Sequence, residues 1–171
     1  MNSGVMNSGV SGYHLAQINI LRFNRPKDDP ANGDFMDALD PVNALADKAP
    51  GFVWRLVGEG NDAVDIDPVP DDPRLAVNMS VWEDVQSLGD FVYKNPEHLA
   101  IMRRRKEWAE HMEVYQALWW IPIGHIPSVE EGLGKIDMLE QQGVSADVFT
   151  FRQPFDAPDG TPAIPVLDEC A

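Results

Sequence analysis

Three of the chain's four histidines and four of its five tryptophans fall in or beside residues 78–125. Imidazole is the side chain that gains and loses a proton near neutral pH, so His98, His111 and His125 are the first candidates for acid–base chemistry. Indole rings supply flat apolar walls, and a few polar groups set among them make a small-molecule pocket. His98 recurs with Ile101, Met102, Arg105, Trp108 and Met112 on one side of a helix. It is a candidate catalytic acid or base, with Arg105 beside it to hold an anionic substrate. In the purely structural alternative, a backbone carbonyl satisfies His98 and a carboxylate such as Glu83 pairs with Arg105.

Asn19, Asn78 and Ser80 are polar residues in otherwise apolar strands. An unpartnered buried polar group costs roughly 1–3 kcal/mol, so each must bond to backbone, to water in a cavity, or to a ligand. In the ligand case Asn78 is a candidate catalytic residue and Asn19 a candidate substrate-binding residue. Trp54, Trp82, Trp119 and Trp120 would clamp a flat substrate; core packing or a subunit interface is the competing role for at least two of them. His125, among Pro122, Gly124 and Pro127, sits on a rigid turn that could face a pocket mouth or a haem iron. No second histidine or cysteine stands at a metal-ligand spacing, which argues against zinc or non-haem iron. Haem needs only one axial histidine and stays open beside the expectation of no cofactor. The Gly132-Leu133-Gly134-Lys135 run lacks the upstream glycine of a phosphate loop.

These residues need a scaffold, and hydrophobic periodicity predicts one. Residues 13–21 read as a strand with Tyr13, Leu15, Gln17 and Asn19 on one face. A helix follows over 34–49, restarting or kinking at Asp40-Pro41. Strands are predicted over 52–57 and 75–82, separated by an exposed acidic loop over 58–73. A short helix spans 85–93. Asn95-Pro96 starts a longer one that runs to about Met112. A strand over 115–123, a helix over 129–142 capped by Ser128, and a last strand over 147–152 complete the order. This is α+β of the split βαβ type, with helices on one side of a mainly antiparallel sheet. The second face would then be bare and apolar, and pairing of two sheets in a homodimer would cover it.

The chain of 171 residues is predicted to hold one domain over 13–152, between a disordered leader over 1–12 and a Pro- and acid-rich tail over 153–171 that could reach a partner subunit. The leader contains one pentapeptide written twice, so Met6 is a candidate start. A net charge of −15 argues against nucleic acid and against an anionic membrane surface. No apolar run is long enough for a membrane span. Cys170 is the single cysteine, which excludes an intrachain disulfide and fits a reducing, cytoplasmic setting.

Five motifs in order carry a family resemblance. They are H-L-A-Q-I-N near the start, A-P-G-F-V-W-R-L at 49–56, N-M-S-V-W-E at 78–83, F-V-Y with P-E-H and M-R-R-R-K-E-W, and L-W-W-I-P-I-G-H-I-P at 118–127. On these the chain resembles the DUF3291 family, within the dimeric α+β barrel superfamily. The resemblance implies a ferredoxin-like subunit, a homodimer, and a pocket between sheet and helices. It also implies a small-molecule ligand and, by analogy, chemistry like that of the cofactor-independent monooxygenases of aromatic substrates. A non-catalytic small-molecule-binding protein and a haem-binding protein are the alternatives it leaves open.

Overall fold

The computed structural model describes residues 11–163. Four strands, β1 (Tyr13–Arg22), β2 (Phe52–Arg55), β3 (Leu75–Trp82) and β4 (Gln116–Pro122), form one antiparallel sheet in the order β2-β3-β1-β4. The helices are α1 (Gly33–Asp47), α2 (Val85–Lys94), α3 (Pro96–Arg103), α4 (Arg105–Trp108) and α5 (Val129–Gln142). Strand order and connections are those of an α+β ferredoxin-like fold. Several termini carry the signals that the sequence displays. Asp84 and Asn95 accept the Ser87 and His98 amides at 2.7 and 3.1 Å, and the Ser128 hydroxyl accepts Glu131 N at 3.1 Å.

Alternation along β1 sends two different sets of side chains to the two faces. Ala16, Ile18, Ile20, Val77, Met79, Val81, Trp119 and Ile121 form one face and are all buried. The sequence predicts that this face is bare and closed by a partner subunit. Instead α5 of the same chain covers it with Ile136 and Leu139, and helices therefore lie on both sides of the sheet. Gly132 permits the approach: a Cβ there would sit 2.7 Å from Ile18 Cδ1 and 3.0 Å from Met79 Cε. The apolar surface that motivated a dimer is thus consumed within one subunit.

The other face splits in two. Leu15, Trp82 and Leu118 pack under α2 and against Phe149 and Phe151. Further along the same strands stand Gln17, Asn19, Asn78 and Ser80, where α1, α3 and α4 arch over the sheet.

Local structure departs from the sequence expectation at four places. The first helix is continuous through Pro41, with no restart. The helix expected to reach Met112 is interrupted at Arg104 and stops at Trp108, because the next residues are captured as an edge to β1. Asn24 N bonds to Trp108 O at 2.8 Å and Glu110 N to Arg22 O at 2.9 Å, which carries Met112 to the α5 face. The acidic loop is pinned rather than free: Lys27 Nζ holds Val64 O, Ile66 O and the Asp67 carboxylate, and Ala63 is buried.

The predicted last strand is reduced to isolated bridges, and the one that joins it to the sheet is between Leu118 and Phe149, which exchange two 2.9 Å bonds. Packing continues past it: Trp120 Nε1 donates to Phe155 O at 2.8 Å, Ala157 is buried, and the Asp159 carboxylate accepts Gly12 N at 2.9 Å. Residues 153–163 therefore lie on their own subunit. The repeated pentapeptide, Met6 and Cys170 fall outside the described residues.

Candidate functional site

The floor of the site is a polar patch on an apolar sheet. Gln17 faces Ser80 and Asn19 faces Asn78 across the β1–β3 pairing, so four amide and hydroxyl groups adjoin on one face. Gln17 Nε2 donates to Asn78 Oδ1 at 2.8 Å and to Ser80 Oγ at 2.9 Å. Trp82 Nε1 adds a second donor to the same hydroxyl at 2.8 Å. With two N–H groups already pointing at its oxygen, Ser80 must direct its own O–H elsewhere. Asn78, its oxygen occupied, is left with its NH2 to offer, and it is exposed within the cavity. Asn19 Oδ1 is buried with no hydrogen-bond partner.

Above this floor lies a cavity of about 220 Å³. Most drug-sized sites measure ~300–1,000 Å³, so this one suits a ligand of one or two fused rings better than a porphyrin. Its walls are Phe35 and Val42 of α1, Phe91 of α2 and Ile101 of α3. Trp82 closes one end, stacked on Phe91 at 5.5 Å with Phe52 edge-on at 5.4 Å.

His98 lines the cavity from the first turn of α3. Its Nδ1 lies 3.0 Å from Val92 O. A carbonyl only accepts, so Nδ1 carries the proton and Nε2 is the lone-pair nitrogen. Burial pushes the imidazole pKa below its ordinary value, against the smaller opposing effect of the Val92 carbonyl. The ring is therefore a neutral acceptor at physiological pH.

Arg105 lines the cavity near the far end of β1. One guanidinium nitrogen donates to Ile20 O at 3.0 Å and the group lies 4.5 Å from the Tyr115 ring centroid. The expected pairing with Glu83 is absent, and among the described residues Arg105 makes no ion pair. Burial lowers its pKa, an effect only partly offset by Tyr115.

Sequence reasoning places His98, Asn19, Asn78, Trp82 and Arg105 at a site, and the fold brings these five together. Three other candidates stand elsewhere. His125 is on the loop after β4, where Nε2 meets Glu131 Oε1 at 2.7 Å. Trp119 donates to the other oxygen of the same carboxylate at 3.0 Å, on the α5 face. Trp54 also turns to that face. Phe52 pairs with Trp82 but Trp54 pairs with Val81, and this register shift re-aims the ring that strict alternation would have kept beside Phe52. Gln17 was missed, although its alternation with Asn19 marks it as a neighbour on the same face. Among the described residues no three His, Cys, Asp or Glu side chains gather as a metal site, and no helix is long and apolar enough to cross a membrane.

The model of DUF3291, a domain of unknown function, matches residues 14–163. The chain belongs to the DUF3291 family. No curated protein matches its sequence. Among solved structures it is similar to SnoaB, a cofactor-independent oxygenase from Streptomyces nogalater, at 15% identity and a TM-score of 0.45, covering 67% of this chain and 98% of that one. A conserved protein from Methanosarcina mazei Go1 is similar at 12% identity and a TM-score of 0.45, with 65% and 93% covered. A Nitrosomonas europaea protein of unknown function is similar at 12% identity and a TM-score of 0.42, with 68% and 95% covered. Likeness at this level carries no inference about activity in a DUF3291 chain.

Proposed function

We propose that this DUF3291 protein is a small-molecule enzyme that takes a proton from an aromatic or conjugated substrate and, like a cofactor-independent monooxygenase, lets the substrate anion reduce dioxygen. One observation supports it above the others: a histidine whose Nδ1 is engaged by Val92 O, leaving Nε2 as the lone-pair nitrogen, lines a cavity floored by amide and hydroxyl groups. His98 would accept the proton from an acidic CH2 group. The Asn78 NH2 would hold the enolate oxygen that develops. The anion would add oxygen to give a peroxide, which takes up the proton His98 had removed. Loss of the second C–H proton with O–O cleavage then leaves a ketone and water, so the four electrons lost by the carbon are the four gained by dioxygen.

The reading is tested by oxygen uptake with a panel of bicyclic CH acids. Wild type should consume oxygen and form ketone one for one, and His98→Ala should lose ~10²–10⁴-fold of that rate. Uptake unchanged in His98→Ala would remove the proposed base. Binding without uptake across the panel would favour a non-catalytic binding protein of the same fold.

A further inference from the structure

Arg105 is a cation in a chain whose net charge is −15, yet among the described residues it has no carboxylate beside it. Arg22, Arg25, Arg55, Arg74 and Arg104 each pair with a carboxylate, and the other described arginines without an ion pair, Arg103 and Arg152, are exposed, whereas Arg105 is half-buried. A guanidinium has five N–H donors, and the bond to Ile20 O uses one. The Tyr115 ring covers its face and leaves the edge available, which is the edge that grips a carboxylate in two parallel bonds. Asp62, the one carboxylate among the described cavity-lining residues, lies on the β2 side. It accepts Val64 N at 2.9 Å.

The second observation is the buried Asn19 Oδ1, an acceptor with no donor. Asn19 precedes Ile20, whose carbonyl anchors Arg105 of α4, so the orphan acceptor and the anchor of the cation are consecutive residues of β1. Met102 and Tyr115, each 37% exposed, also line the cavity here and leave this end accessible from solvent. A ligand that satisfies both groups brings a negative charge and a hydroxyl donor.

We propose that the cavity takes a small aromatic carboxylate carrying a hydroxyl on the same ring system, with the carboxylate on Arg105 and the hydroxyl donating to Asn19 Oδ1. This substrate class rests on the reading of the cavity as a substrate site. The apolar walls take the rings, with Asn78 directly across the β1–β3 pairing from Asn19 and His98 of α3 lining the same cavity.

Calorimetric titration of the full chain with three probes tests this: 4-hydroxy-2-naphthoate, its carboxamide, and 2-naphthoate. Wild type should bind the hydroxy acid more tightly than the amide by about tenfold or more, the difference a charge-assisted pair makes. Removing the hydroxyl should cost about tenfold as well, because the Asn19 acceptor is again left unpaired. Arg105→Met should abolish the preference for acid over amide. Arg105→Lys should keep part of it, and melting curves without ligand show that both variants fold. Equal binding of acid and amide, a preference that survives Arg105→Met, or no binding of any probe overturns the assignment. A charge preference without oxygen uptake keeps the ligand class and sinks the monooxygenase reading; turnover of neutral substrates alone does the reverse.

Discussion

Replacing Asn19 by leucine should stabilise the protein while it damages the site. Asn19 stands mid-sheet between Asn78 and Gln116, and its Oδ1 is buried without a donor. An acceptor in that state costs roughly 1–3 kcal/mol. Leucine branches at the same carbon, carries no polar atom, and fits a face already lined by Leu21. In a chain of this size each kcal/mol moves the melting temperature by ~2–4 °C, so Asn19→Leu should melt at least about 2 °C higher than wild type. Most substitutions of central strand residues move the other way. The gain should be matched by a loss of about tenfold in affinity for the hydroxylated acid, the usual trade between a strained site and stability. Differential scanning calorimetry and titration of one preparation read both numbers. A melting point that falls would show that Oδ1 has a donor in solution. Unchanged affinity would show that it faces no ligand.

Two further outcomes follow from the geometry. His98 has a pKa below the 6.5 of an ordinary imidazole. Below pH 6.5 the unfolded chain therefore binds the proton first, so the contribution of His98 to stability falls as pH drops from 6.5 toward its own lower pKa, then levels off. His98→Gln should flatten that part of a stability-versus-pH curve, and turnover in wild type should show an acid limb with its midpoint below 6.5. Gly132→Val should cost about 1–3 kcal/mol by overpacking α5 against the sheet, read by urea denaturation; an unchanged midpoint would mean that α5 does not seal that face.

Much of the site was legible because its signals are local. Alternation assigns the faces of β1 and β3, and it is the reason Asn19, Asn78 and Trp82 converge. The Asn95-Pro96 start sets the phase of α3, which carries His98 to the cavity. The parts that were not legible depend on contacts distant in sequence. A register shift in β2 moved Trp54 to the other face. Capture of residues 109–110 by the end of β1 cut short a helix whose local sequence continues to Met112. Nothing in the amphipathic pattern of α5 says which side of the sheet it packs on, and that choice covered a face expected to be bare with the chain's own helix. His125 was read from its rigid turn alone, whereas Glu131, one turn into α5, decides its place.

The proposed chemistry turns on one ring. Nitrogen-15 NMR of histidine side chains reads the tautomer and pKa of His98 directly, with His98→Gln supplying the assignment. The neutral ring should carry its proton on Nδ1, titrate below 6.5, and shift at Nε2 when the hydroxy acid binds. A ring protonated on Nε2, or one that titrates at or above the ordinary value, would contradict the claim that a free base faces the cavity.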